Sequence, residues 1–135
     1  ARKPIGRART PAEARALRIL VVDDSPTMQD IISATLRSAE FEVVQAEHGI
    51  DALKRLETIT PDLIITDLNM YQMDGFEFVS RVRQDEVHEF TPILFLTTES
   101  AEDFKQIGRD LGATGWMLKP FEPTELLRVV RSILQ

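Results

Sequence analysis

Five short apolar runs alternate with stretches of helical spacing, and this alternation restricts the fold more than any other feature of the chain. The runs are Arg18–Asp23 (RILVVD), Glu42–Ala46 (EVVQA), 63–67 (LIITD), Ile93–Thr97 (ILFLT) and Gly115–Leu118 (GWML). Leu63, Ile64 and Ile65 are apolar in succession, as in a strand covered on both faces of a parallel sheet. Between the runs, apolar residues recur at three- and four-residue steps. They are Met28, Ile31, Ile32, Leu36 and Ala39, then Ile50, Leu53 and Leu56, then Phe76, Val79 and Val82. Phe104, Ile107 and Leu111 follow, and finally Leu126, Val129, Val130 and Ile133. Each set predicts a helix with that stripe facing inward. Strands that alternate with helices through short loops make an α/β fold, a doubly wound five-stranded parallel sheet with right-handed crossovers.

Local signals set the helix boundaries. Ser25 is a good N-cap with Pro26 in the first turn, and Ser100 is expected to cap the fourth helix. Asp74-Gly75 marks a turn before the third helix. Gly108 weakens the fourth helix by about 1 kcal/mol relative to Ala, which predicts that it is the mobile one. Thr10-Pro11-Ala12-Glu13 matches a capping box, so a short helix over 11–17 is possible ahead of the first strand. The expected organisation is a basic tail over 1–16 and one domain over 17–135.

Composition narrows the function. The net charge is −6, yet Arg2, Lys3, Arg7 and Arg9 make the first ten residues +4. The remainder carries 12 basic and 22 acidic groups. An acidic body argues against nucleic-acid binding, which needs clustered Lys and Arg. The absence of cysteine excludes disulfides and thiolate metal sites, and suits a cytoplasmic protein. No apolar run approaches the roughly 20 residues that span a bilayer. His48 and His88 lie away from the acids and are expected to face solvent.

The chemistry gathers at the strand ends. Parallel strands point their carboxyl ends the same way, and open α/β sheets bind ligands there. Asp23 and Asp24 end the first strand, Asp67 the third, Thr97 the fourth and Lys119 the fifth. Two carboxylates about 4 Å apart repel by roughly 4 kcal/mol at an effective dielectric near 20. A proton, a lysine or a hard divalent cation must offset that. Oxygen ligands suit Mg²⁺, and Thr and Lys alongside suit a phosphoryl group.

With these residues in place, the chain resembles the receiver domain of two-component response regulators. The motifs are Val21-Val22-Asp23-Asp24-Ser25, Pro61-Asp62-Leu63-Ile64-Ile65-Thr66-Asp67, Met73-Asp74-Gly75, Leu96-Thr97 and Leu118-Lys119-Pro120-Phe121. Asp-Asp-Ser-x-Thr-Met is similar to the stand-alone chemotaxis, CheY-like branch. The resemblance implies a flavodoxin-like sheet of order 2-1-3-4-5. It implies that Asp67 is the phosphoacceptor and that Asp23, Asp24, Asp67 and the Asn69 backbone carbonyl hold Mg²⁺, or Mn²⁺. It further implies that Lys119 and Thr97 contact the phosphoryl group, that Thr97 and Trp116 form a switch, and that Lys119-Pro120 is cis. Trp116 stands where chemotaxis members often have Tyr; a plain packing aromatic is the other reading. Tyr71 departs from the proline usual there, which leaves the loop's mobility open.

The implied function is phosphorylation-gated signalling by a monomer. A histidine kinase would donate, and the fourth helix, last strand and last helix would bind a target such as a flagellar motor switch protein. A phosphatase or a histidine phosphotransfer protein is a further possible partner; the alternative role is a phosphorelay shuttle or phosphate sink. A receiver cut from a longer regulator is another reading. A phosphoaspartyl hydrolase is disfavoured, because Asp67-Leu68-Asn69 lacks that class's Asp-x-Asp. Whether it counts as an enzyme stays open: the resemblance implies no classical enzyme, but a protein that would catalyse its own phosphorylation and dephosphorylation.

Overall fold

The computed structural model describes residues 16–135. Five strands, β1 (Arg18–Val22), β2 (Glu42–Ala46), β3 (Leu63–Thr66), β4 (Ile93–Thr97) and β5 (Gly115–Leu118), form one parallel sheet. Its order is β2-β1-β3-β4-β5, as expected. The α-helices between and after them are α1 (Pro26–Ser38), α2 (Gly49–Leu56), α3 (Gly75–Gln84), α4 (Glu102–Asp110) and α5 (Pro123–Leu134). A 3₁₀ turn over Glu86–His88 precedes β4. The helix expected over 11–17 falls on residues outside the described part, except Ala16 and Leu17, which are not helical.

The consecutive apolar residues of β1, β3 and β4 are buried because both sheet faces are covered. Ile19, Val21, Leu63, Ile65, Leu94 and Leu96 point to one side, where Ile32 and Leu36 of α1 and Leu126 and Val130 of α5 meet them. Leu20, Val22, Ile64, Ile93 and Phe95 point to the other, against Ala52 and Leu56 of α2 and Phe78, Val79 and Val82 of α3. The chain winds from β1 out to β2 and then back across β1 to β3, so the winding direction reverses and the crevice between β1 and β3 opens at the carboxyl ends.

Several helix faces differ from the expected stripes. In α1 the buried residues are Gln29, Ile32, Ser33 and Leu36, while Ile31 is exposed. Gln29 is buried because its amide donates to the carbonyls of Val21, Asp23 and Ala46. Ile50 of α2 is exposed. In α3, Phe78 replaces Phe76 as a fully buried residue, and Phe76 is half-buried. In α4, Phe104 and Ile107 are exposed, and the buried residue is Gly108. Ala101, not Ser100, is the N-cap of α4, and its side chain makes no capping bond.

Both histidines depart from the solvent-facing expectation. His88 is buried, with Nε2 3.1 Å from the carbonyl of Leu56. Arg83 clamps the same turn by donating to the carbonyls of His88, Thr91 and Gly112. His48 is half-buried and caps α2, its Nδ1 accepting the Asp51 N–H at 3.3 Å.

Candidate functional site

The sheet ladder carries the acids into position. Asp23 N–H donates to the Ala46 carbonyl and Asp67 N–H to the Val22 carbonyl, which extends β1 and β3 by one residue each. Asp23 is 2% exposed, and Asp24, next in the chain, is exposed. One carboxylate oxygen from each of Asp23, Asp24 and Asp67 lies within 4.8 Å of the others.

Lys119 reaches this cluster from the loop after β5. Its ammonium donates to Asp23 Oδ2 at 2.6 Å and to Asp67 Oδ2 at 2.9 Å. The Lys119-Pro120 peptide is cis. Burial opposes the charge on Lys119, but the bonds to Asp23 and Asp67 outweigh it and hold its pKa above the usual 10.5. Burial also raises the Asp23 carboxyl above 3.8, against the lowering effect of Lys119 and of the Ser25 N–H. One ammonium stands among three carboxylates, so the cluster keeps a negative excess. Three hard oxygen donors so close together, with charge left to neutralise, fit one small divalent cation.

Backbone groups that sequence reasoning missed fix each carboxylate. Ser25 N–H donates to Asp23 Oδ1 at 2.9 Å, and Leu68 N–H to Asp67 Oδ1 at 2.7 Å. Tyr71 N–H donates to Asp24 Oδ2 at 3.2 Å. Gly75 allows the loop after Asp67 to close, since a Cβ there would stand 2.4 Å from the Asp67 carbonyl oxygen. Gln29 holds the Asp23 carbonyl from below. Of these, Gly75 is marked in the sequence by the Asp74-Gly75 turn signal, and Gln29 by its place four residues after the N-cap Ser25 and three before Ile32.

Of the remaining expected residues, Thr97 and Trp116 are engaged with Glu99 rather than with the acids. Asn69 is exposed in the turn after Asp67. Thr97 is buried, and its hydroxyl oxygen accepts the Glu99 N–H at 3.3 Å. The carbonyl of Glu99 in turn accepts the Trp116 indole N–H at 2.8 Å. Trp116 is half-buried, with its ring 4.9 Å from Phe95 and 6.3 Å from Phe76. Thr97 and Trp116 therefore grip the two ends of one residue.

Residues 19–131 match the family described as the response regulator receiver domain. The chain belongs to that family. As a receiver domain it is 36% identical to the chemotaxis protein CheY1 of Helicobacter pylori over 120 residues, covering 87% of this chain and 97% of that protein. It is 38% identical to the alkaline phosphatase synthesis transcriptional regulatory protein PhoP of Bacillus subtilis over 118 residues, covering 87% and 48%. The receiver spans about half the length of the curated transcriptional regulators it matches. The solved structure of chemotaxis protein CheY4 of Vibrio cholerae superposes with a TM-score of 0.85 at 44% identity, covering 88% of this chain and 99% of that one. Among the described residues, no helix of this receiver is long and apolar enough to cross a membrane.

Proposed function

We propose that this receiver takes a phosphoryl group from the phosphohistidine of a kinase onto Asp67. The phosphorus–nitrogen bond breaks, its electron pair returns to the imidazole, and a phosphorus–oxygen bond forms to the carboxylate. The observation that carries this reading is the Lys119 ammonium between Asp23 and Asp67, beside carboxylates set to share one cation.

A carboxylate attacks an anion poorly, because like charges repel. Asp23, Asp24 and Asp67, with the Asn69 carbonyl, would hold Mg²⁺, which supplies positive charge where the phosphoryl oxygens gather. Lys119 offsets charge from the other side and is already held at Asp67, so little reorganisation is needed. Asp67 is fixed by Leu68 N–H and by Lys119, which limits its rotation before attack.

Phosphorylation adds about −1.5 to −2 of charge. Thr97 spends an oxygen lone pair on Glu99, and its own O–H remains able to donate to a phosphoryl oxygen. Drawing Thr97 toward Asp67 pulls on Glu99, and through the Glu99 carbonyl on Trp116. The face of α4, β5 and α5 then changes shape and binds a protein target. Likeness to chemotaxis proteins supports a motility target such as a flagellar motor switch protein. Labelling with acetyl phosphate and Mg²⁺ tests the acceptor: Asp67→Asn is expected to abolish incorporation, and label retained at the wild-type level would refute it.

A further inference from the structure

We infer that the backbone N–H of Tyr71, rather than its ring, is a positioning group for the metal ligand Asp24; the inference rests on the reading of Asp24 as a ligand. Asp24 is the exposed member of the acidic trio. Asp23 is tied by Lys119 and Ser25, and Asp67 by Lys119 and Leu68. The bond from Tyr71 N–H to Asp24 Oδ2 bridges residues 47 apart in the chain and ties the β1–α1 loop to the β3–α3 loop. An exposed carboxylate without such a tether samples several rotamers, and ordering it on metal binding costs entropy. With Oδ2 accepting from the backbone, rotation of the Asp24 carboxylate beside the other two acids is restricted before any metal binds.

The donor loop is itself braced. Met73 N–H donates to the Tyr71 carbonyl at 2.8 Å, and Gln72 between them has a left-handed φ of 68°. Met73 is buried against the start of α2, where a Cβ on Gly49 would stand 2.7 Å from its Sδ. Tyr71 as a whole residue is, by contrast, 69% exposed. The peptide group is therefore supported while the side chain projects into water.

Proline in place of Tyr71 deletes the N–H, and alanine keeps it; both delete the ring. Mg²⁺ titrations followed by Trp116 fluorescence and by calorimetry compare the two variants directly. Y71P is expected to bind Mg²⁺ about three- to tenfold more weakly than Y71A, the range of one lost hydrogen bond of ordinary net strength at an exposed site. Equal affinities, or tighter binding by Y71P, would overturn the inference. Amide hydrogen exchange of the unaltered chain gives a test independent of how Y71P folds. The Tyr71 amide is expected to exchange more slowly than in Asp24→Ala, and to stay slow at saturating Mg²⁺. Loss of that protection on adding Mg²⁺ would mean that the N–H competes with the metal, which also overturns it. Absence of any Mg²⁺ binding by the unaltered chain would instead defeat the metal-site reading on which the inference stands.

Discussion

Replacing Lys119 with methionine removes the one ammonium from a cluster of three carboxylates. Carboxylate oxygens within 4.8 Å of one another repel by about 3.5 kcal/mol or more per pair at an effective dielectric near 20. Removing one partner of a buried ion pair generally costs about 3–5 kcal/mol, which brackets that figure. The metal-free variant is therefore expected to be about 3–5 kcal/mol less stable than the parent near pH 8. The loss should shrink on acidification. Burial already raises the Asp23 carboxyl, and deleting Lys119 removes the hydrogen bond and charge that do most to lower it, leaving only the Ser25 N–H. A carboxyl with a raised folded pKa contributes stability below its unfolded value and loses it as pH rises through the folded one. A divalent cation can take over from the missing ammonium, so millimolar Mg²⁺ should restore more stability to Lys119→Met than it adds to the parent. Urea unfolding of both proteins, with EDTA and with Mg²⁺, at about pH 6 and about pH 8, measures all three effects. A deficit that is the same in all four conditions would refute the electrostatic reasoning, since packing loss alone has that signature.

Gly108→Ala places a Cβ 3.0 Å from the Trp116 ring, so the indole should tilt and release the Glu99 carbonyl. A red-shifted Trp emission is expected, and an unchanged spectrum would contradict that contact. Gln29→Leu strips three buried carbonyls of a shared donor and should cost about 2–4 kcal/mol in urea unfolding. A loss under 1 kcal/mol would show that other donors replace it. The raised pKa of Lys119 means that its pairing stabilises the metal-free fold in full below 10.5, and that this is lost as pH rises through the higher folded value. Thermal melts should show a steeper alkaline decline for the parent than for Lys119→Met; parallel declines would contradict it.

The sheet and the main side chains at its rim were legible in the sequence for one physical reason. Uninterrupted apolar runs mark strands covered on both sides, and parallel strands deliver their last residues to the same edge. Asp23, Asp24, Asp67 and Lys119 are found together because of that rule. Helix faces are less legible, since hydrophobicity is only a proxy for the direction in which a side chain points. Gln29 is polar and buried, Ile31 apolar and exposed, and only the tertiary positions of the Val21 and Ala46 carbonyls explain the exchange. On α4 the smallest residue faces inward because the Trp116 ring occupies the space beneath it, leaving Phe104 and Ile107 outside. Burial of His88 needed the distant Leu56 carbonyl. The N–H groups of Ser25, Leu68 and Tyr71 were hidden because every residue but proline has one, and only the loop path aims it.

The most direct test of the central claim is to find where a phosphoryl group lands. The protein is treated with acetyl phosphate, reduced with borohydride, digested and mapped by mass spectrometry, with Mg²⁺ and with EDTA. Reduction of an acyl phosphate at Asp67 leaves homoserine at that position. Homoserine at residue 67 that depends on Mg²⁺ is the expected result. Modification at another residue, or at Asp67 to the same extent in EDTA, would contradict a phosphoacceptor that works through a shared cation.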